Sequence, residues 1–143
     1  MALVTGGARG IGAAVCRRLA NAGCGVCVNY FSSADEAEAL CRELEELGVR
    51  SFSFQADVTD LPAVEEMFES IREKFGKLDI LVSNAASGVL RPALEMSTKH
   101  WRRCMETNAL ALNQLVRQAR PLMGRGARVL ALSSLGAHRA VPD

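Results

Sequence analysis

The sequence lacks the features that would place it in a membrane, outside the cell or on nucleic acid. No apolar run approaches the roughly 20 residues that a helix needs to cross a bilayer. The formal net charge is only +1, which gives no reason to expect nucleic acid or an anionic membrane as a partner. The first residues have neither the basic stretch nor the cleavage site of a signal peptide. We therefore expect a cytoplasmic protein.

Cysteine usage argues against a disulfide framework, because the five cysteines are an odd number and no secretory signal accompanies them. Cys24 and Cys27 form a C-x-x-C pattern, which could indicate a redox or zinc site. They fall in an apparent strand, however, where positions three apart point to opposite faces. No second Cys/His pair stands at a ligand spacing. We therefore expect small buried side chains and no metal.

Short apolar runs alternate with segments of helical apolar spacing along the whole chain. Strands are predicted at 1–5, 25–30, 50–56, 78–83 and 128–133. Helices are predicted at 10–22, at 34–47, from a cap at Thr59 or Asp60 to Gly76, and at 97–123 with room for a break. Such alternation predicts a parallel, doubly wound α/β sheet. No linker or repeat interrupts it, so we expect a single domain over 1–143.

A glycine-rich segment, Thr5-Gly-Gly-Ala-Arg-Gly-Ile-Gly12, joins the first strand to the first helix. Glycine permits a tight turn and lets the backbone approach a pyrophosphate, which sits over the positive end of the helix dipole. Glycines can also be no more than turn formers, but a strand before and a helix after are the context of a dinucleotide-binding loop. The residues predicted to bind the nucleotide here are Gly6, Arg9, Gly10, Ile11 and Gly12.

Further motifs stand after later strands and in the long helix. Asp57-Val58 follows the third strand, Ser83-Asn84-Ala85-Ala86 the fourth, Asn108 lies in the helix, and Ser133-Ser134 ends the fifth strand. Singly, these could be a solvated carboxylate, a turn-forming amide, a polar helix residue and strand-end hydroxyls. Their order after Thr-Gly-x-x-x-Gly-x-Gly resembles the short-chain dehydrogenase/reductase family, and the resemblance covers all 143 residues.

The resemblance implies a three-layer Rossmann-like fold, here truncated after the fifth strand and so an incomplete dinucleotide-binding domain. It implies that Asp57 meets the adenine ring of the cofactor. It also implies that Asn108 holds a water in a proton relay and that Ser134 is the catalytic serine. The remaining residues assigned to the cofactor by the resemblance are Val58, Asn84, Ala85 and Ala86.

The end of the second strand indicates which cofactor is preferred. An NAD enzyme places an Asp or Glu about twenty residues beyond the glycines, where it hydrogen-bonds the ribose 2′-OH. The segment Asn29-Tyr-Phe-Ser32-Ser33 contains no carboxylate, and Arg9 is a cation within the glycine loop. We therefore predict NADPH, with Arg9 and Ser32 near its 2′-phosphate.

The substrate is indicated only by two short stretches, 84–92 and 133–139. They resemble a bacterial subgroup of enoyl-acyl-carrier-protein reductases, which spaces its active-site pair as Tyr-x6-Lys. The resemblance implies an enoyl thioester on acyl carrier protein, fatty acid synthesis and a homo-oligomer. The alternatives are a 3-oxoacyl-acyl-carrier-protein reductase or another short-chain dehydrogenase and, in a different class, a nucleotide-binding module without turnover.

The tyrosine and lysine that the resemblance assigns to catalysis have no counterpart in these 143 residues. The single tyrosine is Tyr30, on the adenosine side, and the last lysine is Lys99. The missing tyrosine would come at or just past Asp143. We therefore expect a fragment of a longer reductase, inactive by itself.

Overall fold

The computed structural model describes residues 1–89 and 91–139. Five strands form one sheet in the order β3-β2-β1-β4-β5, and each neighbouring pair is parallel. Their bounds are β1 Ala2–Val4, β2 Val26–Tyr30, β3 Ser51–Gln55, β4 Ile80–Ser83 and β5 Arg128–Ala131. The predicted doubly wound α/β fold is confirmed. Because the chain runs outward from β1 to β3 and then returns to β4 on the other side, a crevice forms between the carboxyl ends of β1 and β4.

The helices match the predicted segments, and the last segment is broken, as the prediction allowed. Their bounds are α1 Gly10–Asn21, α2 Ala34–Glu46, α3 Leu61–Phe75, α4 Thr98–Met105 and α5 Ala111–Ala119. A π-helical turn, Glu106–Leu110, separates α4 from α5, and short 3₁₀ turns follow at Arg120–Leu122 and Leu135–Ala137. Within the described ranges, no helix is long and apolar enough to span a membrane.

Side-chain caps fix where two of the helices begin. The Asp60 carboxylate accepts a hydrogen bond from the Ala63 N–H, and the Ser97 hydroxyl accepts one from the His100 N–H at 3.3 Å. At the other end of α3, Gly76 has a φ of 70°, a conformation that favours glycine and stops the helix. These are the caps and the stop that the sequence predicts.

Successive residues of the central strands pack into different layers. Leu3, Cys27 and Leu81 pack with α3 and α5 on one face of the sheet. Val4 and Val82 pack with α1 and α2 on the other face. All five are at most 3% exposed, so both faces of the central sheet are covered by helices. The predicted three-layer arrangement is confirmed.

One predicted detail differs at the end of the chain. The fifth strand ends at Ala131, so Ser133 and Ser134 follow the strand and do not belong to it. Residues 140–143 lie outside the described residues, as does Leu90 in the stretch 84–92 from which the substrate is predicted.

The two cysteines of the C-x-x-C pattern do not lie in one strand, contrary to the prediction, because β2 begins at Val26. Cys27 is fully buried within β2, and burial raises the pKa of its thiol well above the usual value, so the thiol stays protonated and unreactive. Cys24 precedes the strand and is half-buried. Across 1–89 and 91–139, no group of three or more His, Cys, Asp or Glu side chains is placed to hold a metal ion.

Candidate functional site

A cavity of about 450 Å³ opens where the carboxyl ends of β1 to β4 meet. This is the crevice at which open α/β sheets bind their ligands. Three of the residues predicted for the site, Gly10, Asn108 and Ser134, lie outside its lining. The predicted residues that line it are Gly6, Arg9, Ile11, Gly12, Ser32, Asp57, Val58, Asn84, Ala85 and Ala86.

The glycine loop passes so close to the rest of the site that there is no room for a side chain at position 12. A Cβ atom at Gly12 would collide with the Gly6 carbonyl oxygen and would lie 2.7 Å from Asn84 Nδ2. Gly6 has a φ of 59°, in the region that favours glycine. Because α1 begins at Gly10 beside the cavity, its unpaired N–H groups and dipole favour an anion there.

Thr5 and Asn84 tie the glycine loop to the end of β4. The Thr5 hydroxyl accepts hydrogen bonds from the backbone N–H groups of Asn84 and Ala85, both at 3.0 Å. The Asn84 side-chain amide donates to the carbonyls of Thr5 at 2.8 Å and Gly6 at 3.0 Å. Asn84 therefore holds the loop in shape, which is a supporting role that its predicted assignment to the cofactor did not include.

Asn29 performs the matching task on the other side of β1, and sequence reasoning missed it. Its side chain is 1% exposed. Its Oδ1 accepts from the Gly6 N–H at 3.2 Å, and its Nδ2 donates to the Ala56 carbonyl at 3.0 Å. Its own carbonyl accepts from the Gly7 N–H at 2.8 Å. The signal in the sequence was an amide in an otherwise apolar buried strand, since a buried amide needs partners.

Asp57 lines the cavity just past β3 as one member of a group that includes Thr59 and Arg103. Asp57 Oδ1 accepts from the Thr59 N–H at 3.0 Å and from the Thr59 hydroxyl at 2.8 Å, and Oδ2 accepts from Arg103 Nη2 at 3.0 Å. Burial raises the pKa of Asp57, but the bonds from Thr59 and Arg103 outweigh it, and the net pKa lies below the usual value. The carboxyl is therefore ionised at neutral pH.

Arg103 is a second residue that sequence reasoning missed. It stands on α4, 46 positions after Asp57, and it lines the cavity. Its side chain is 42% exposed. In the sequence it is one of two adjacent arginines, Arg102 and Arg103, and the helical spacing alone gave no sign of which one faces the sheet.

Arg9 and Ser32 lie at the end of the cavity formed by β2. Both side chains are exposed, and both line the cavity together with Tyr30, Phe31 and Ser33. Within the described residues, Arg9 makes no ion pair. This end of the cavity thus offers a cation and hydroxyls without a carboxylate from the strand.

Asn108 anchors a loop from outside the cavity lining. Its Oδ1 accepts from the Ser87 N–H at 2.9 Å, and its Nδ2 donates to the Ser87 carbonyl at 2.8 Å. It stands in the π-helical turn between α4 and α5, a distortion often found at functional sites. The side chain therefore positions the segment after Asn84, while the relay role implied for Asn108 stays a prediction.

Ser134 lies apart from the cavity. It follows β5 and is exposed, and its hydroxyl accepts a hydrogen bond from the Gly136 N–H at 3.2 Å, at the start of a 3₁₀ turn. Because β4 and β5 are parallel neighbours, Ser134 stands at the same edge of the sheet as the cavity. Its catalytic role also stays a prediction.

Comparison with known proteins identifies relatives along the whole chain. A family model described as short chain dehydrogenase matches residues 1–143. The 1-cyclohexenylcarbonyl-CoA reductase of Streptomyces collinus is 37% identical over 142 residues, covering 99% of this chain and 51% of the relative. The 3-oxoacyl-[acyl-carrier-protein] reductase FabG of Staphylococcus aureus is 39% identical over 138 residues, covering 94% of this chain and 55% of the relative.

Solved structures agree with the curated relatives. A short chain dehydrogenase from Burkholderia cenocepacia, crystallised in complex with NADP, is 38% identical with a TM-score of 0.94, and the match covers 99% of this chain and 58% of that one. The chain spans about half the length of the curated relatives it matches. The match to the family model over every residue, together with this shared fold, leads to one conclusion: the chain belongs to the short-chain dehydrogenase family.

Proposed function

We propose that the chain is the dinucleotide-binding part of an NADPH-dependent reductase, and that the full enzyme reduces the carbonyl group of a 3-oxoacyl thioester. The observation that carries the proposal is the cavity at the carboxyl ends of β1 to β4, walled by the glycine loop on one side and Asp57 on the other. Its shape and chemistry suit an extended, anionic ligand with a base at one end. The two curated relatives named above are reductases, which supports an oxidoreductase.

The residues present fit a dinucleotide with a phosphorylated ribose. The glycine loop approaches so closely that a Cβ at Gly12 would fill the space, and the amino end of α1 lies beside it, which suits a pyrophosphate. Arg9 and Ser32 would hold the 2′-phosphate, because no carboxylate at the end of β2 repels it. Asp57 would accept from the adenine amino group. When bound, the reduced cofactor supplies a hydride.

Among the candidate substrates, the 3-oxoacyl thioester is ranked first because of the names of the relatives. The Staphylococcus relative is named a 3-oxoacyl-[acyl-carrier-protein] reductase, and none of the relatives described above is named an enoyl-acyl-carrier-protein reductase. The enoyl thioester predicted from 84–92 and 133–139 therefore becomes the second candidate. It is kept because the Streptomyces relative is named for 1-cyclohexenylcarbonyl-CoA, which is also a thioester.

Delivery of a proton to the substrate requires residues that lie outside the cavity described here. Tyr30 lines the cavity at the end of β2, beside Ser32 and Ser33 and on the far side of β1 from β4 and β5. It is therefore poorly placed to serve a substrate near Ser134. We propose that the proton donor and its lysine belong to a longer protein, in which Ser134 and Asn108 complete the catalytic group.

Three further properties remain proposals without support from the cavity. These are acyl carrier protein as the carrier of the thioester, a homo-oligomeric enzyme, and a cytoplasmic location. The alternative of a different class is a module that binds the dinucleotide and has no turnover in any context. It shares the cavity, Arg9 and Asp57 with the reductase, so only an activity measurement separates the two.

The cofactor assignment is tested by titrating the protein with NADPH and NADH and following the nicotinamide fluorescence. We expect NADPH to bind tenfold to a hundredfold more tightly, since a charged contact contributes about 1.5–3 kcal/mol. Arg9→Gln should reduce this ratio, whereas Arg18→Gln, a change at another exposed arginine, within α1, should preserve it. Equal affinity for both cofactors in the unaltered protein would contradict the assignment.

The substrate assignment is tested on the protein extended by the sequence that follows residue 143 in its gene. We expect the kcat/KM for an acetoacetyl thioester to exceed that for a crotonyl thioester with NADPH. The opposite order would restore the enoyl thioester as the substrate. No turnover of either, with NADPH binding intact, would favour the non-catalytic module.

A further inference from the structure

We propose that Arg103 is a positioning residue for the base of the cofactor, and that it acts by holding the Asp57 carboxylate in the orientation that selects adenine. This inference rests on the proposed dinucleotide site. It assigns a task to a residue on α4, an element that none of the predicted cofactor contacts includes.

Three of the contacts form a closed ring of hydrogen bonds, and a fourth bond supports it. Arg103 Nη2 donates to Asp57 Oδ2, and Arg103 Nη1 donates to the Thr59 hydroxyl, each at 3.0 Å. That hydroxyl donates in turn to Asp57 Oδ1 at 2.8 Å, and the Thr59 N–H donates to the same oxygen at 3.0 Å. Both ends of the guanidinium are therefore engaged, and the carboxylate has a partner on each oxygen.

The ring leaves Asp57 able to accept one more hydrogen bond. An ionised carboxylate offers about four acceptor positions, of which Oδ1 uses two and Oδ2 uses one. The side chain of Asp57 is 20% exposed and borders the cavity. The remaining position on Oδ2 suits a donor such as the amino group of adenine. It repels an acceptor, such as the oxo group that hypoxanthine carries at the same place on the ring.

Without Arg103, the carboxylate loses the one bond that the described residues make to Oδ2, and the Thr59 hydroxyl loses its donor. The Thr59 bonds to Oδ1 would then allow Asp57 to turn about that atom. The expected consequence is loss of base discrimination, not simply loss of affinity, because the glycine loop, Asn29 and Asn84 do not depend on Arg103 for any of their hydrogen bonds.

The experiment compares the dissociation constants of NADPH and of its hypoxanthine analogue. The variants are Arg103→Gln, Arg103→Lys and the neighbouring control Arg102→Gln, whose side chain is exposed and outside the cavity lining. We expect the unaltered protein and Arg102→Gln to prefer NADPH about tenfold, the effect of one hydrogen bond to a charged group. Arg103→Gln should bring the ratio close to one. Arg103→Lys, which keeps the charge but lacks the two-pronged geometry, should lie between them.

Two measurements separate this inference from a general effect on folding and from the proposed function. In an Asp57→Asn background, Arg103→Gln should leave the ratio of the two dissociation constants unchanged, because the carboxylate it acts through is gone. If Arg103→Gln weakens both cofactors equally, or leaves the tenfold ratio intact, the inference is wrong while the dinucleotide site stands. If the unaltered protein binds neither cofactor, the dinucleotide site itself is wrong.

Discussion

Replacing Gly12 with alanine should weaken both the fold and dinucleotide binding, because no space is open for the new methyl group. Its Cβ would collide with the Gly6 carbonyl oxygen, and it would lie 2.9 Å from Gly7 Cα and 2.7 Å from Asn84 Nδ2. Two of these neighbours are backbone atoms, and the third is an amide that already donates to two carbonyls. None of them can move without distorting the loop.

The cost follows from the rigidity of those neighbours. Overpacking typically costs about 1–3 kcal/mol, and a contact with fixed backbone belongs to the upper part of that range. A loss of about 2–3 kcal/mol corresponds to roughly 30-fold to 150-fold. We expect this loss to divide between a lower melting temperature and weaker binding of NADPH, since the loop can relieve the collision only by leaving its binding geometry.

Two other glycines provide graded controls. Gly124 has no heavy atom within 4 Å of a would-be Cβ and no positive φ, so Gly124→Ala should change neither stability nor affinity by much. Gly10 is equally free of neighbours but has a φ of 56°, so Gly10→Ala should cost about 1–2 kcal/mol of stability through backbone strain alone. The measurements are thermal melting and NADPH titration by fluorescence. If Gly12→Ala binds NADPH as tightly as Gly124→Ala does, the steric argument is refuted.

Three further outcomes are expected. Ser32→Asp should lower or reverse the preference for NADPH over NADH in a fluorescence titration, because a carboxylate repels the 2′-phosphate and accepts from a ribose hydroxyl; an unchanged ratio would contradict the placement of Ser32. The 143-residue chain should show no hydride transfer from NADPH to a crotonyl or acetoacetyl thioester, and a rate within tenfold of a full-length relative would disprove this. The pKa of Asp57 is lower in the folded protein than in the unfolded chain. The ionised carboxylate therefore contributes to stability above the unfolded pKa of about 3.9, and this contribution fades as the pH falls through the folded pKa. For a partly exposed pair it is about 1 kcal/mol or less. Thermal melting should therefore show Asp57→Asn to be destabilised at neutral pH and to approach the unaltered protein below about pH 4.

Sequence patterning predicts the layers of this fold because each pattern is local. The alternation within β1 sends Leu3 and Val4 to different faces, and a cap such as Asp60 lies next to the helix that it starts. Gly12 could be predicted as a cofactor-binding residue for a similar reason, since strand, turn and helix lie within a few residues of it. The same reasoning identified the cavity-lining residues that directly follow a strand, because parallel strands bring their carboxyl ends to one edge of the sheet.

The residues that sequence reasoning missed make contacts across long stretches of chain. Arg103 reaches Asp57 across 46 positions, and Asn29 reaches Gly6 across 23. No periodicity reports which of two adjacent arginines turns toward the sheet, nor which partners a buried amide will find. The prediction allowed a break in the last helix but gave neither its place nor its form, which is the π-helical turn at Glu106–Leu110. It matters to the site because Asn108, which holds Ser87, stands within it.

The positions of Asn29 and Asn84 together imply that the glycine loop is shaped before any ligand arrives. Gly6 is held from both sides: its N–H donates to Asn29 from β2, and its carbonyl accepts from Asn84 after β4. The two amides come from the two strands that flank β1, so the loop conformation is set by the sheet and not by the cofactor. A loop fixed in this way has little conformational entropy left to lose on binding. Loss of either amide should therefore weaken cofactor binding by loosening the loop, and this effect needs no direct contact with the ligand, since Asn29 is only 1% exposed where it borders the cavity.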